Sequence, residues 1–193
     1  PLVGGAERQL EGLAGHLSRQ GADSFVLTRR VAGSLRKEPG EGYMIERLPC
    51  GIPKVGFGIS VFFSLLTRSR SIDVIHCHTL SAQTALACVA AGRLSGTPVI
   101  VKVTRSGPQT QLRRYLRNRT GRRLFKGLVA GAARVIAITA EVKEELLLAG
   151  VAAGKIAEIP NGVELADRAA VKPAGGVQFV FTGRLIGRKR VDM

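Results

Sequence analysis

The 193 residues contain no tryptophan, and aromatic side chains make up only 5% of them. Base-stacking recognition of single-stranded nucleic acid draws on more aromatic surface than that. Cysteine is scarce as well: Cys50, Cys77 and Cys88 are an odd number with no CxxC pair. They exclude a disulfide scaffold and suit a reducing compartment, so a cytoplasmic location is expected. No run approaches the ~20 apolar residues of a membrane span. The longest, Val55 to Leu66, is interrupted by Gly56, Gly58, Ser60 and Ser64. The first 20 residues carry Glu7 and Glu11 in a helical pattern, unlike a secretory leader. A Walker loop, a nucleophile elbow, a complete GxGxxG and a zinc pattern are also absent.

The most telling scarcity is of acidic charge. Overall, 29 Lys and Arg stand against 14 Asp and Glu, a net charge of +15. From Val74 to Ala140 there is no Asp or Glu, yet eleven Lys and Arg. The excess therefore belongs mainly to one segment. Within it, Arg119, Arg122, Arg123 and Lys126 share a helix face, with Leu124, Phe125 and Leu128 expected opposite. Arg113, Arg114 and Arg117 lie just upstream. Such an element suits an anionic membrane, a phosphorylated substrate or nucleic acid, and equally an ordinary solvated helix face.

Apolar residues are plentiful at 45%, enough for a folded core. They alternate between two periods. Helical spacing marks Gly5 to Gln20, Ile59 to Leu66, Ser81 to Leu94, Gln109 to Gly131 with a break near Gly121, and a helix after Thr139 that Gly150 ends. Strands are expected at Ser24–Thr28, Tyr43–Leu48, Asp73–His78, Pro98–Thr104, Arg134–Thr139 and Ile156–Ile159. Strand–helix alternation implies an α/β fold, a doubly wound parallel sheet with helices on both faces. Ligands bind such sheets at the carboxyl ends of the strands. Gly4-Gly5 opens a helix without a strand before it, so a first strand is expected to be missing. Residues 1–163 read as one Rossmann-like domain and 164–176 as a linker. Residues 177–193 read as the truncated start of a second domain, with the strand Val177–Thr182 running into Gly183.

Gly4-Gly5 at a helix start suits a phosphate or carboxylate, since free N–H groups and the helix dipole point there. His76 and His78, two apart on a strand, turn toward one face at its carboxyl end. A metal site would need further ligands, and His16 is the only other histidine, so no metal is expected. Arg184 and Lys189, after a strand, suit a diphosphate as fork and point charge. Asn161-Gly162 reads as a turn.

In order along the chain, five segments resemble the retaining glycosyltransferases of family 4, which have the GT-B architecture. They are Gly4-Gly5-Ala6-Glu7; Asp73 to His78; Val135 to Thr139 with the helix Glu141 to Leu148; Lys155-Ile156 with Pro160-Asn161-Gly162-Val163; and Gly183-Arg184-Leu185 with Lys189 and Val191-Asp192. The resemblance implies transfer of a sugar from a nucleotide-diphosphate sugar to a glycan or lipid-linked acceptor. It implies His78 as the catalytic cleft histidine with His76 beside it, and Gly4, Gly5, Arg184 and Lys189 around the donor diphosphate. It implies acceptor contacts at Thr104, Arg105, Ser106 and Gly107, no cofactor, and no metal. It also gives the basic segment Arg113 to Lys126 a role as an anionic-lipid surface on the inner face of the cytoplasmic membrane. The family's paired glutamates do not follow Arg184 in this sequence, so the 193-residue chain is expected to be inactive by itself. A basic nucleic-acid-binding module and a GT-B epimerase or phosphorylase are the alternatives, and no nucleic acid partner is expected.

Overall fold

The structure, a computed structural model, describes residues 4–52 and 55–163. Helix α1 (Gly5–Arg19) comes first, followed by β1 (Phe25–Arg29), β2 (Lys37–Pro39) and β3 (Met44–Leu48). Then come α2 (Gly56–Thr67), β4 (Ile75–Cys77), α3 (Ala82–Ser95) and β5 (Val99–Val103). The chain goes on through α4 (Gln111–Leu116), α5 (Arg119–Gly131), β6 (Arg134–Ala137), α6 (Ala140–Leu148) and β7 (Ile156–Glu158).

β4, β5, β6 and β7 lie side by side in that order, all parallel. Parallel neighbours require crossovers, which α3, the α4–α5 pair and α6 supply. All three step the same way along the sheet, so the right-handed rule puts them on one face. Val99, Val101, Val103, Val135 and Ala137 share one face of the sheet and are buried, and on the other face Lys102 and Ile136 are buried as well. β1 pairs parallel with β3 in a second sheet of three strands.

The expectation of a wholly parallel sheet fails at β2, which runs antiparallel to β3. Only a short turn separates Pro39 from Met44, too little chain for a crossover, so a hairpin results. Glu46 of β3 is 4% exposed, and Arg68, Arg36 and Lys37 surround it, the first at 2.6 Å and the others at 4.0 Å.

The long basic helix also differs. It breaks at Arg117-Asn118 rather than at Gly121. Asn118 caps α5, its side-chain oxygen accepting from the Gly121 N–H at 2.7 Å. Gly121 serves a different purpose: a Cβ there would collide with the Tyr115 carbonyl oxygen. Phe125 and Leu128 face the core as expected, but Leu124 is 43% exposed. Thr139 caps α6 through Val142 N, and Gly150 follows the helix with φ +85°. At the far end of α5, Lys155 Nζ donates to the carbonyl oxygens of Val129, Ala130 and Ala132. That ammonium neutralises the negative end of the helix.

Candidate functional site

β4 stops at Cys77, one residue earlier than the sequence pattern predicts, and places three side chains on alternate faces. Cys77 turns toward α3, where it meets Cys88; both are buried free thiols. The hydrogen bond with Cys77, reinforced by burial, holds the Cys88 thiol well above its usual range. His76 and His78 turn the other way, and their ring centroids stand 5.5 Å apart at 60°. His78 lies just beyond the strand. Thr79 secures the turn there: its carbonyl accepts from Cys77 Sγ, and its hydroxyl oxygen accepts from Ser81 N and donates to Gln111 Oε1.

Neither histidine is satisfied internally. His76 Nε2 and both ring nitrogens of His78 are buried without a hydrogen-bond partner. Burial lowers the pKa of each, and the Lys102 charge lowers it further, so that His78 falls to about 4. Both rings are neutral at pH 7. A neutral imidazole offers one donor and one acceptor, the pair a sugar hydroxyl can use.

Lys102 escaped the sequence reading, which counted it only as charge. Paired strands carry the explanation. His76 is opposite Ile100, so Lys102, two residues on, shares its face. It is 7% exposed, and burial lowers its pKa. The signal was present: a lysine inside Pro98-Val-Ile-Val-Lys-Val-Thr104, a strand whose other residues from 99 to 103 are all β-branched.

The first turn of α1 approaches from the opposite side. The Glu7 charge reaches His78, partly opposing the fall in its pKa. The Glu7 carboxylate also accepts from Gly4 N at 3.0 Å, the one half of a capping box that a glycine N-cap allows. One of the amides expected to meet a phosphate is therefore already engaged. Gly5 keeps its role open, since a Cβ there would meet nothing within 4 Å. Gln9 Nε2 donates to the Gly162 carbonyl at 2.8 Å, tying α1 to the turn after β7.

Thr104, Arg105, Ser106 and Gly107 form the loop leaving β5, with Arg105 and Ser106 exposed. Glu145 of α6, unremarked in the sequence, anchors it by accepting from Gly107 N at 2.9 Å. All seven residues of the expected basic surface, Arg113, Arg114, Arg117, Arg119, Arg122, Arg123 and Lys126, are exposed. Arg113 also reaches Glu145 at 3.8 Å, and Arg122 Nε donates to the Leu116 carbonyl. Arg184 and Lys189 lie outside the described residues, as do the linker 164–176 and the strand expected at Val177–Thr182. Among the described residues no group of three or more His, Cys, Asp or Glu could hold a metal, and no helix is long and apolar enough to cross a membrane.

The sequence profile described as Glycosyltransferase Family 4 matches residues 3–167. The chain belongs to glycosyltransferase family 4. Solved structures of Anabaena Alr3699/HepE share the family member's fold. The complex with UDP-glucose matches with a TM-score of 0.61 at 16% identity, and the complex with UDP and glucose with 0.59 at 16%. The alignments cover 84% and 83% of this chain. The chain spans 42% of the length of those proteins. No curated protein matches it significantly. The glycosyltransferase family 4 domain thus has a Rossmann-like GT-B fold, with the two histidines at the carboxyl end of β4.

Proposed function

We propose that the chain supplies the acceptor-side half of a retaining sugar-transfer site. A nucleotide-diphosphate sugar is the donor, and a glycan or lipid-linked hydroxyl is the acceptor. The bond from the anomeric carbon to the phosphate oxygen breaks, and the diphosphate leaves with the electron pair. The acceptor oxygen bonds to that carbon and gives its proton to the departing phosphate oxygen. His78 hydrogen-bonds the transferred sugar, with His76 beside it. Gly4 and Gly5 let the donor phosphate approach, and Arg184 and Lys189 neutralise its growing charge. Thr104, Arg105, Ser106 and Gly107 line the acceptor side. No metal takes part.

The observation that carries this reading is the pair of neutral, unpartnered histidines at the sheet edge, facing the first turn of α1. Alr3699/HepE, the structural relative, was crystallised with UDP-glucose, which supports a uridine nucleotide sugar as the first donor to try. The reading includes inactivity of the 193-residue chain alone, because it lacks the paired glutamates. The exposed arginines of α4 and α5 give it a peripheral site on an anionic membrane surface.

The test is release of UDP from UDP-glucose and other UDP-sugars, with lipid-linked and glycan acceptors. It is run on the 193-residue chain and on that chain joined to a family member's donor domain. Turnover in the joined protein that falls at least a hundredfold in His78→Ala supports the reading. Turnover unaffected by His78→Ala, or turnover by the short chain, counts against it.

A further inference from the structure

Two charged side chains are counted as buried among the described residues, Glu46 and Lys102. The fold treats them oppositely. Glu46 has three cations around it. Lys102 Nζ makes no hydrogen bond or ion pair with the described residues. Even half-buried Lys155 is given three carbonyl oxygens. The Lys102 side chain is buried along most of its length, its ammonium has no counter-charge, and the stretch Val74 to Ala140 around it holds no carboxylate. The only carboxylate acting on the neighbouring His78 is that of Glu7, which already caps Gly4.

Lys102 also has company of the right kind. His76 and His78 are on its face of the sheet, and three of their nitrogens are orphaned. Each neutral ring can present one N–H donor. One ammonium and two imidazole donors, at the edge where such sheets bind ligands, make a receptor for an oxyanion.

We propose that Lys102, His76 and His78 form a subsite for a carboxylate or phosphate borne by a substrate sugar. This group is distinct from the donor diphosphate, which belongs to Gly4, Gly5, Arg184 and Lys189. The inference deepens the transfer reading and rests on it, in that a sugar substrate occupies this edge. The oxyanion supplies the counter-charge that Lys102 lacks. The remaining imidazole nitrogens accept hydrogen bonds from the sugar's hydroxyls.

The 193-residue chain is titrated with glucuronate, glucose 6-phosphate, inorganic phosphate and glucose at pH 7.5. Binding is followed by calorimetry and by the histidine Cε1–H resonances. Glucuronate or glucose 6-phosphate should shift both His76 and His78 saturably. Lys102→Met keeps the length of the stem without its charge, and should weaken that binding at least tenfold while changing glucose binding less than twofold. Equal affinity in wild type and Lys102→Met, or unmoved histidine resonances, overturns the subsite. Inorganic phosphate binding as tightly as glucose 6-phosphate overturns its assignment to a sugar-borne group. Should Lys102→Met and Lys102→Gln both fail to fold, the wild-type ammonium decides: its pKa rises on adding glucuronate, and an unmoved value overturns the proposal. Lys102-dependent binding with no transfer by the joined protein would sink the transfer reading alone. Transfer with Lys102-independent binding would sink the subsite alone.

Discussion

His78 is the residue whose chemistry leaves the clearest trace in solution. Buried beside Lys102 and His76, it titrates near 4, whereas the same group in an unfolded chain titrates near 6.5. Between those values only the unfolded chain binds the proton. The stability is therefore whole above about pH 6.5 and drains away as pH falls through about 4. His76 shifts in the same direction. Chemical denaturation of His78→Asn should show less acid destabilisation than wild type across that window, by on the order of 2 kcal/mol. Equal slopes in both proteins would contradict the buried, neutral ring. Gly5 gives a complementary test. Open space around it means that Gly5→Ala keeps the fold and loses no thermal stability. Loss of UDP-glucose affinity in that variant, measured in the joined protein, would report a ligand passing close to the backbone. The two histidines were legible in the sequence because period-two spacing fixes a shared face. Lys102 was not, because a lysine on a strand is ordinarily read as solvated, and only the register of β4 beside β5 shows that it shares a face with the two histidines.

At the scale of elements, α4 and α5 show how closely two glycines can resemble each other in sequence and differ in fold. Gly121 abuts the Tyr115 carbonyl where the two helices turn on each other, while Gly127 faces open solvent. Gly121→Ala should cost about 1–3 kcal/mol by forcing the helices apart. Gly127→Ala should gain about 0.5–1 kcal/mol from reduced backbone entropy. Thermal unfolding of the two variants checks both signs at once. The helix break was placed three residues late because glycine is the louder punctuation mark. The physical break is the asparagine, whose side chain replaces a missing intrahelical partner. The β2–β3 hairpin was missed for a related reason. Lys37-Glu38-Pro39 is too short and too charged to read as a strand, and the Arg47–Glu38 ion pair that accompanies its pairing joins residues nine apart.

For the molecule as a whole, positive charge is concentrated rather than spread evenly along the chain. The acid-free segment contributes both a buried cation at the sheet edge and an exposed row on α5. The row predicts sedimentation with phosphatidylserine vesicles and not with neutral ones. Replacing Arg119, Arg123 and Lys126 by Gln should weaken it about a hundredfold, at roughly 1 kcal/mol per cation. Salt at 0.5 M should release the protein, since screening acts on exposed charge first. Vesicle binding that ignores lipid charge and salt would refute the surface. The α/β class and the strand–helix alternation from β4 to β7 were legible from periodicity. The division into two sheets was not, because it depends on which strands become neighbours, and that is set by packing far apart in the chain.

The Gln9–Gly162 hydrogen bond closes this separation to its extreme, joining residues 153 positions apart. It places a timetable on the site. During synthesis α1 emerges early, yet its clasp cannot form until the turn after β7 has been made. At roughly 5–20 residues per second, that wait lasts about 8–30 s. Through all of it the helix that shapes the sheet edge lacks this tie, and a nascent chain stalled before Gly162 cannot lock it in place.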